Sequence, residues 1–181
     1  MTNLVGISGS LRKGSLNTML LEAMKELLPD DTELTVRSID DIPLYNGDLD
    51  VDGGPEPVRS LRVDIGAADG LIIATPEYNY GIPGVLKNAI DWISRPAFKS
   101  VFVGKPVAIV GAAPGIVGTA RAQAELRNVL FGTLAEVFPH PEILVGRAKQ
   151  RLKAGTLSDE MSRDLIAGFL SAYVKRIRRL A

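Results

Sequence analysis

The residues best suited to chemistry lie in two short loops, each of which follows an apolar run. In residues 8–17 the side chains of Ser10, Ser15 and Asn17 offer hydrogen-bond donors, and Arg12 offers a charged fork. Free backbone N–H groups at a helix N-terminus favour anions, and a guanidinium matches phosphate oxygens. This loop therefore predicts a phosphate-binding site, whereas an ordinary serine-capped turn would need only one of these residues.

The spacing in this loop differs from two common phosphate-binding motifs. Gly9 and Gly14 have the separation found in a nucleoside-triphosphate loop, but Ser15 and Leu16 follow where Lys and Ser or Thr are required. No Gly-x-Gly-x-x-Gly pattern, typical of dinucleotide sites, occurs in the chain. A monophosphate is the better match.

The second loop, residues 75–84, carries aromatic and amide side chains. Tyr78 and Tyr80 stand at the end of a predicted central strand, where a hydrophobic core does not need them. Such a loop suits the edge of a flat heterocycle, although Pro, Asn and Gly are also ordinary turn residues. We predict that it contacts a ligand.

The elements that position these loops alternate along the chain. Apolar runs predict strands at residues 4–8, 33–38, 71–75, 106–111 and 142–145, and helical spacing predicts helices at 16–28, 55–68, 84–94, 119–131 and after a Ser158 cap. This alternation predicts an α/β fold, a flavodoxin-like three-layer sandwich with a five-stranded parallel sheet of order 2-1-3-4-5. Strands one and three are then neighbours, so both loops open onto one crevice. We expect residues 1–181 to form a single domain.

Composition narrows the possible functions. The 181 residues are 46% hydrophobic and 23% charged, with 21 basic and 21 acidic side chains, so nothing favours nucleic acid or a membrane surface. The absence of cysteine excludes disulfides, thiol catalysis and cysteine-ligated metals. No signal peptide or spanning apolar run is recognisable, and we therefore expect a cytoplasmic protein.

Two further features resemble functional sites, but their residues do not fit such sites. Residues 48–53 resemble the first half of a calcium-binding loop, but Pro55 interrupts it and Arg59 replaces the required glutamate. His140, the single histidine, lies between two prolines and is more consistent with a structural role. We predict no metal site and no catalytic side chain.

The two loops together resemble a known family. Gly-Ser-Leu-Arg-Lys-Gly-Ser-x-Asn, Thr-Pro-Glu-Tyr-Asn-Tyr and the later Ile-Pro-Gly-Val-Leu-Lys-Asn-Ala-Ile-Asp-Trp are similar to the NAD(P)H-dependent FMN reductases, and most of all to their chromate and quinone reductase branch. The resemblance implies that the FMN-binding residues of the first loop are Ser10, Arg12, Ser15, Leu16 and Asn17. It implies that the isoalloxazine contacts are Pro76, Glu77, Tyr78, Asn79 and Tyr80, with Gly111 and Gly115 approaching from the loop 111–118.

The same resemblance implies an activity. Hydride would pass from NADPH or NADH to bound FMN and on to a small-molecule acceptor, namely a quinone, azo compound, chromate or flavin. Relatives commonly form homodimers or homotetramers, for which the predicted helices 84–94 and 119–131 are the candidate surface. The alternative is a non-enzymatic flavodoxin-like electron carrier, but Arg12 and a net charge of zero are unusual for flavodoxins.

This chain departs from the family pattern at two places. Relatives often carry serine where Gly81 stands, and other serines where Ala112 and Ala113 stand. We expect the missing hydroxyl groups to alter hydrogen bonding to the flavin.

Overall fold

The computed structural model describes residues 1–153 and 155–180. Its main sheet is parallel, with β1, β2, β3 and β4 in the order β2-β1-β3-β4, and two short strands, β5 and β6, that both pair with β4. The bounds of these strands are Thr2–Ser8, Thr32–Arg37, Gly70–Ala74, Pro106–Ala112, Glu136–Val137 and Ile143–Val145. The predicted flavodoxin-like order is confirmed.

The fifth position of the sheet is divided between two segments. β5 pairs with the beginning of β4, and β6 pairs with its end. Pro139 and Pro141 lie between them and have no N–H group to donate, so a continuous strand cannot form there. The sequence predicted only the second segment.

Helices cover both faces of the sheet. Their bounds are Leu16–Lys25 for α1, Glu56–Ala67 for α2, Gly84–Ile93 for α3, Ala120–Gly132 for α4, Ala148–Arg151 for α5 and Glu160–Leu180 for α6. One core layer lies between the sheet and α1, α5 and α6, and the other lies under α2, α3 and α4. A small antiparallel hairpin, formed by β7 (Leu152–Lys153) and β8 (Thr156–Leu157), follows α5.

The strands are apolar on both sides because each contributes to both layers. In β3, Ile72 packs toward α1 and α6, whereas Leu71 and Ile73 pack toward the opposite helices. Successive side chains of a strand point to opposite faces, so a strand buried on both sides reads as a continuous apolar run. The central strands were recognisable from the sequence for this reason.

Two predicted helix ends need correction. α1 ends at Lys25 instead of Leu28: the Leu27 N–H bonds to the carbonyl of Met24 in a tighter turn, and Pro29 disfavours helical backbone at Leu28. α6 is capped by Asp159, whose carboxylate accepts the N–H of Ser162 at 3.1 Å. The predicted cap, Ser158, instead donates its hydroxyl to the carbonyl of Arg151.

Helix α6 also closes the end of the sheet opposite the two loops. The hydroxyl of Tyr173 lies 2.8 Å from the carbonyl oxygen of Pro106 and 3.0 Å from that of Leu71, so it bridges the starts of β3 and β4. Complete burial raises the pKa of Tyr173 far above its usual value. Arg178 donates to Thr2 Oγ1 and to the carbonyl of Asp30.

Among the described helices, none is long and apolar enough to cross a membrane.

Candidate active site

A cavity of about 450 Å³ lies at the carboxyl ends of β1, β3 and β4. Loops that follow all three strands line it, as expected for the switch point of an open parallel sheet. Eight of the predicted cofactor-binding residues line this cavity: Ser10, Arg12, Ser15, Leu16, Asn17, Pro76, Glu77 and Tyr78. The other four, which are Asn79, Tyr80, Gly111 and Gly115, do not.

The first loop ends in a helix N-terminus with free donors. Ser15 caps α1, and its hydroxyl accepts the N–H groups of Asn17 and Thr18 at 3.3 Å. Gly14 has a φ of +70°, which a glycine adopts without strain. The backbone N–H groups of Lys13, Gly14 and Leu16 have no acceptor within the described residues. The loop can therefore receive an anion without breaking existing hydrogen bonds.

Asn17 also has a structural role that the sequence did not suggest. Its Nδ2 donates to the carbonyl of Ala112 at 3.0 Å, and its Oδ1 accepts the Ala112 N–H at 2.9 Å. The residue is only 2% exposed. This amide pairing fastens the beginning of α1 to the end of β4, so the first loop and the loop 111–118 are held at a fixed separation.

Glu77 binds the protein itself. Its carboxylate accepts the backbone N–H groups of Arg121 and Ala122 at 2.9 and 3.2 Å, and the Arg121 Nε–H at 2.6 Å. Glu77 therefore caps α4. Burial of this side chain, 8% exposed, would raise its pKa, but hydrogen bonds from Arg121 and Ala122 outweigh burial and lower the pKa below the ordinary 4.5.

The turn after Glu77 is fastened to the same helix. Asn79 and Tyr80 have φ values of 51° and 70°, and Tyr78 and Gly81 exchange two backbone hydrogen bonds of 3.0 Å. The Arg121 guanidinium lies 4.0 Å from the centroid of the Tyr80 ring. This cation–π contact and the Glu77 cap hold the aromatic loop at the N-terminus of α4.

The carboxylate of Glu125, on α4, lies against the turn at Gly81. Its carboxylate accepts the Ile82 N–H at 2.8 Å, and a Cβ added at Gly81 would lie 2.6 Å from Glu125 Oε2. Since Oε2 is the far end of a flexible side chain, a serine at position 81 would require the Glu125 carboxylate to shift.

Gly111 is required for packing outside the cavity. A Cβ at this position would overlap Thr119 Oγ1 and would lie 2.7 Å from the carbonyl oxygen of Thr75. Gly115, by contrast, has open space around it. Its carbonyl accepts the N–H of Arg147 at 2.8 Å, which joins the loop 111–118 to the segment before α5.

Two cavity residues come from a part of the chain to which the sequence analysis assigned no role. Lys149 in α5 and Leu152 in β7 both line the cavity. The apolar Leu152 and Leu157 stand on either side of a segment containing Gly155, which is a weak hairpin signal. Met19, Ala113 and Pro114 also line the cavity.

The unpaired charges that line the cavity are positive. Its single acidic residue is Glu77, which is neutralised by Arg121. Its two cations, Arg12 and Lys149, have no carboxylate within 4.0 Å among residues 1–153 and 155–180. The cavity thus favours an anionic ligand.

Replacing Glu77 with glutamine is expected to lower the free energy of unfolding at neutral pH by about 1.5–3 kcal/mol, the range for hydrogen bonds to charged groups. Because folding lowers the pKa of this carboxyl, its stabilising effect is present above pH 4.5 and is lost as the pH falls through the folded-state value. The difference between the two proteins should therefore shrink in acid. Urea unfolding at pH 7 and at more acidic pH tests this.

The control for this experiment is Glu22→Gln, at an exposed carboxylate on α1 that pairs with Lys25. This change should have little effect at either pH, because exposed ion pairs contribute about 0–1 kcal/mol. A difference between wild type and Glu77→Gln that stays constant with pH would contradict the role of the ionised carboxylate.

This chain is similar to known proteins over nearly its whole length. The family model for NADPH-dependent FMN reductases matches residues 2–150. An NAD(P)H-dependent FMN reductase of Pseudomonas aeruginosa is 46% identical over 177 residues, covering 97% of this chain and 95% of that protein. A 2-hydroxy-1,4-benzoquinone reductase of a Burkholderia species is 41% identical, covering 95% and 94%.

Solved structures show the same similarity in three dimensions. The flavoenzyme NAD(P)H:(acceptor) oxidoreductase of Paracoccus denitrificans superposes with a TM-score of 0.91 at 37% identity. The superposition covers 99% of this chain and 98% of that one. The whole architecture is therefore shared with that enzyme, including the ends of β1, β3 and β4 that form the cavity.

Proposed function

Because the chain belongs to the NADPH-dependent FMN reductase family, we propose that it carries electrons from a reduced nicotinamide nucleotide to quinones. The chain is an FMN-dependent oxidoreductase with NADH or NADPH as donor. Bound FMN supplies the redox chemistry by accepting a hydride from the nicotinamide and passing two electrons to the acceptor. Quinone as the acceptor is supported by the benzoquinone reductase among the relatives.

One observation supports this proposal most directly. A single cavity is lined by a phosphate-type loop after β1 and an aromatic loop after β3, and these strands are neighbours in the sheet. Its volume of about 450 Å³ is within the range of small-molecule sites, roughly 300–1,000 Å³. FMN has a phosphate at one end and a flat ring system at the other, which matches the two kinds of lining.

The residues at the first end suit a phosphate monoester. The unpaired N–H groups of Gly14 and Leu16, which line the cavity, can donate to its oxygens, and Arg12 can add a charge-assisted fork. The Ser10 and Ser15 hydroxyl groups line the same end. Asn17 keeps one amide hydrogen after pairing with Ala112, since each amide nitrogen carries two.

The residues at the second end suit the ring. Pro76 and Tyr78 line the cavity beyond β3, and we propose that backbone groups there orient the flavin edge. Asn79 and Tyr80 lie outside the lining, so we propose that they act at the rim, where donor and acceptor enter in turn. An acceptor site shared with the nicotinamide predicts ping-pong kinetics.

Anaerobic stopped-flow tests the activity. The FMN-loaded protein is mixed with NADPH or with NADH while flavin absorbance is followed. We expect rapid two-electron bleaching and then reoxidation by a benzoquinone. FMN binding without bleaching by either nucleotide would favour an electron carrier, and absence of FMN binding would overturn both assignments.

Arg12→Ala is expected to weaken FMN binding by about 1–3 kcal/mol, because a charge-assisted hydrogen bond to the phosphate is lost. Fluorescence titration of the apoprotein with FMN measures this. Lys13→Ala is the matched control, since Lys13 is the adjacent cation and does not line the cavity. Equal affinities for Arg12→Ala and Lys13→Ala would remove Arg12 from the phosphate site.

We propose further that the protein is a homodimer or homotetramer that uses the surface of α3 and α4. Phe98 and Phe131 are 73% and 81% exposed. Phe98 borders a groove between the two helices, and Phe131 lies on α4 beside a second depression that reaches Phe138. The molar mass measured by light scattering at micromolar concentration tests this, and the mass of a monomer would overturn the proposal. A cytoplasmic location, where reduced nicotinamide nucleotides are available, is part of the same proposal.

A further inference from the structure

We propose that Lys149 is a second cation for the FMN phosphate, opposite the first loop. This inference rests on the proposed function, because it assigns a residue to the phosphate end of that site. Lys149 lies at the edge of the region matched by the family, which ends at residue 150. It occupies the wall built by α5 and the hairpin that follows.

The backbone that carries Lys149 is firmly positioned against the cavity. The N–H groups of Arg147 and Ala148 donate to the carbonyls of Gly115 and Ala113 at 2.8 and 3.0 Å. Ala148 is fully buried, and Arg147 has a left-handed φ of 50° that turns the chain into α5. The side chain of Lys149 therefore starts from a fixed point.

The residues around Lys149 anchor this wall from the other side. Leu152, 4% exposed, lines the cavity and belongs to the core layer under α1. Leu157 in the second strand of the hairpin is 1% exposed in the same layer. The hairpin thus packs on the helix whose N-terminus forms the phosphate end, which places α5 beside that end.

Charge supports a phosphate partner for Lys149. A phosphate monoester carries close to two negative charges at neutral pH. Arg12 and Lys149 supply two positive charges, neither paired with a carboxylate within the described chain, and the acid in the cavity, Glu77, is held by Arg121. Without Lys149, one cation and the N–H groups of α1 would have to balance the dianion alone.

The test compares two flavins that differ only in the phosphate. Apoprotein is titrated with FMN and with riboflavin for wild type, Lys149→Gln and Lys149→Arg. Lys149→Gln should weaken FMN binding about tenfold, the effect of losing one charge-assisted contact, and should leave riboflavin binding unchanged. Lys149→Arg should retain most of the FMN affinity.

Lys153→Gln is the matched control, because Lys153 is an exposed lysine of the same hairpin and does not line the cavity. It should bind both flavins as wild type does. Unchanged FMN affinity in Lys149→Gln, or an equal loss for FMN and riboflavin, would overturn the inference while the proposed function stands. If wild type binds neither flavin, both are overturned.

Discussion

Replacing Gly111 with alanine is expected to lower the free energy of unfolding by at least about 3 kcal/mol, at the upper end of the usual cost of overpacking. The new Cβ would overlap the hydroxyl oxygen of Thr119 and lie 2.7 Å from the carbonyl of Thr75. Both threonines are fully buried. The Thr75 carbonyl directly follows β3, and the Thr75 N–H is bonded to the carbonyl of Val110, so this backbone cannot easily move aside. We therefore expect β4 to shift and urea unfolding to show the loss.

Gly115→Ala is the matched control in the next loop. Nothing lies within 4 Å of a Cβ at that position, so the change should stay within about 0.5 kcal/mol of wild type. Adding Thr119→Ala to Gly111→Ala should recover part of the stability, because it removes the overlapping oxygen and leaves the contacts with the Thr75 carbonyl and the Cβ of residue 119. Equal unfolding midpoints for the two glycine variants would contradict this account.

Asn17→Ala is expected to lower the free energy of unfolding by about 2–4 kcal/mol. It removes two buried hydrogen bonds and leaves the N–H and the carbonyl of Ala112 without their partner, and each unsatisfied buried group costs about 1–3 kcal/mol. Asn3→Ala is the control, because Asn3 is an exposed amide on β1. Urea unfolding of both variants measures the difference.

Asn17→Asp separates the structural role from the binding role. The carboxylate can still accept the Ala112 N–H, but it cannot donate to the carbonyl and it brings a negative charge to the phosphate end. FMN binding should therefore fall more than riboflavin binding. Equal effects on both flavins would mean that Asn17 contributes to the site only through its pairing with Ala112.

The sheet and its order were predictable because burial on both faces leaves a strong local signal. β3 and β4 read as uninterrupted apolar runs, and strand alternation with helices restricts the topology. The fifth strand was predicted only in part. Two residues, as in Glu136–Val137, are too few to show any periodicity.

The two loops were predictable as ligand-binding segments, but the partners of individual side chains were not. Glu77 is followed by Arg121 only after 44 residues, so its role as a cap for α4 depends on the folded arrangement. Asn17 and Ala112 are separated by 95 residues. Residue type indicates what a group can bind, and tertiary structure decides which group is near enough to bind it.

Lys149 and Gly81 are two further positions whose contacts could not be predicted from the sequence. Lys149 lies in a four-residue helix before a hairpin of two-residue strands, and neither has a recognisable pattern. Gly81 stood out as a departure from the family, but its neighbour Glu125, which lies on another element, could not be identified from the sequence. In both cases the missing information was spatial proximity.

The contacts of α6 with the start of the sheet have a consequence for synthesis on the ribosome. Tyr173 and Arg178 bind residues of β1, β3 and β4, and the core layer they belong to also contains α1. At roughly 5–20 residues per second, α6 follows β1 by roughly 8–35 s. During that interval one apolar face of the nascent sheet lacks the longest of its covering helices, which makes the unfinished chain a candidate client for chaperones.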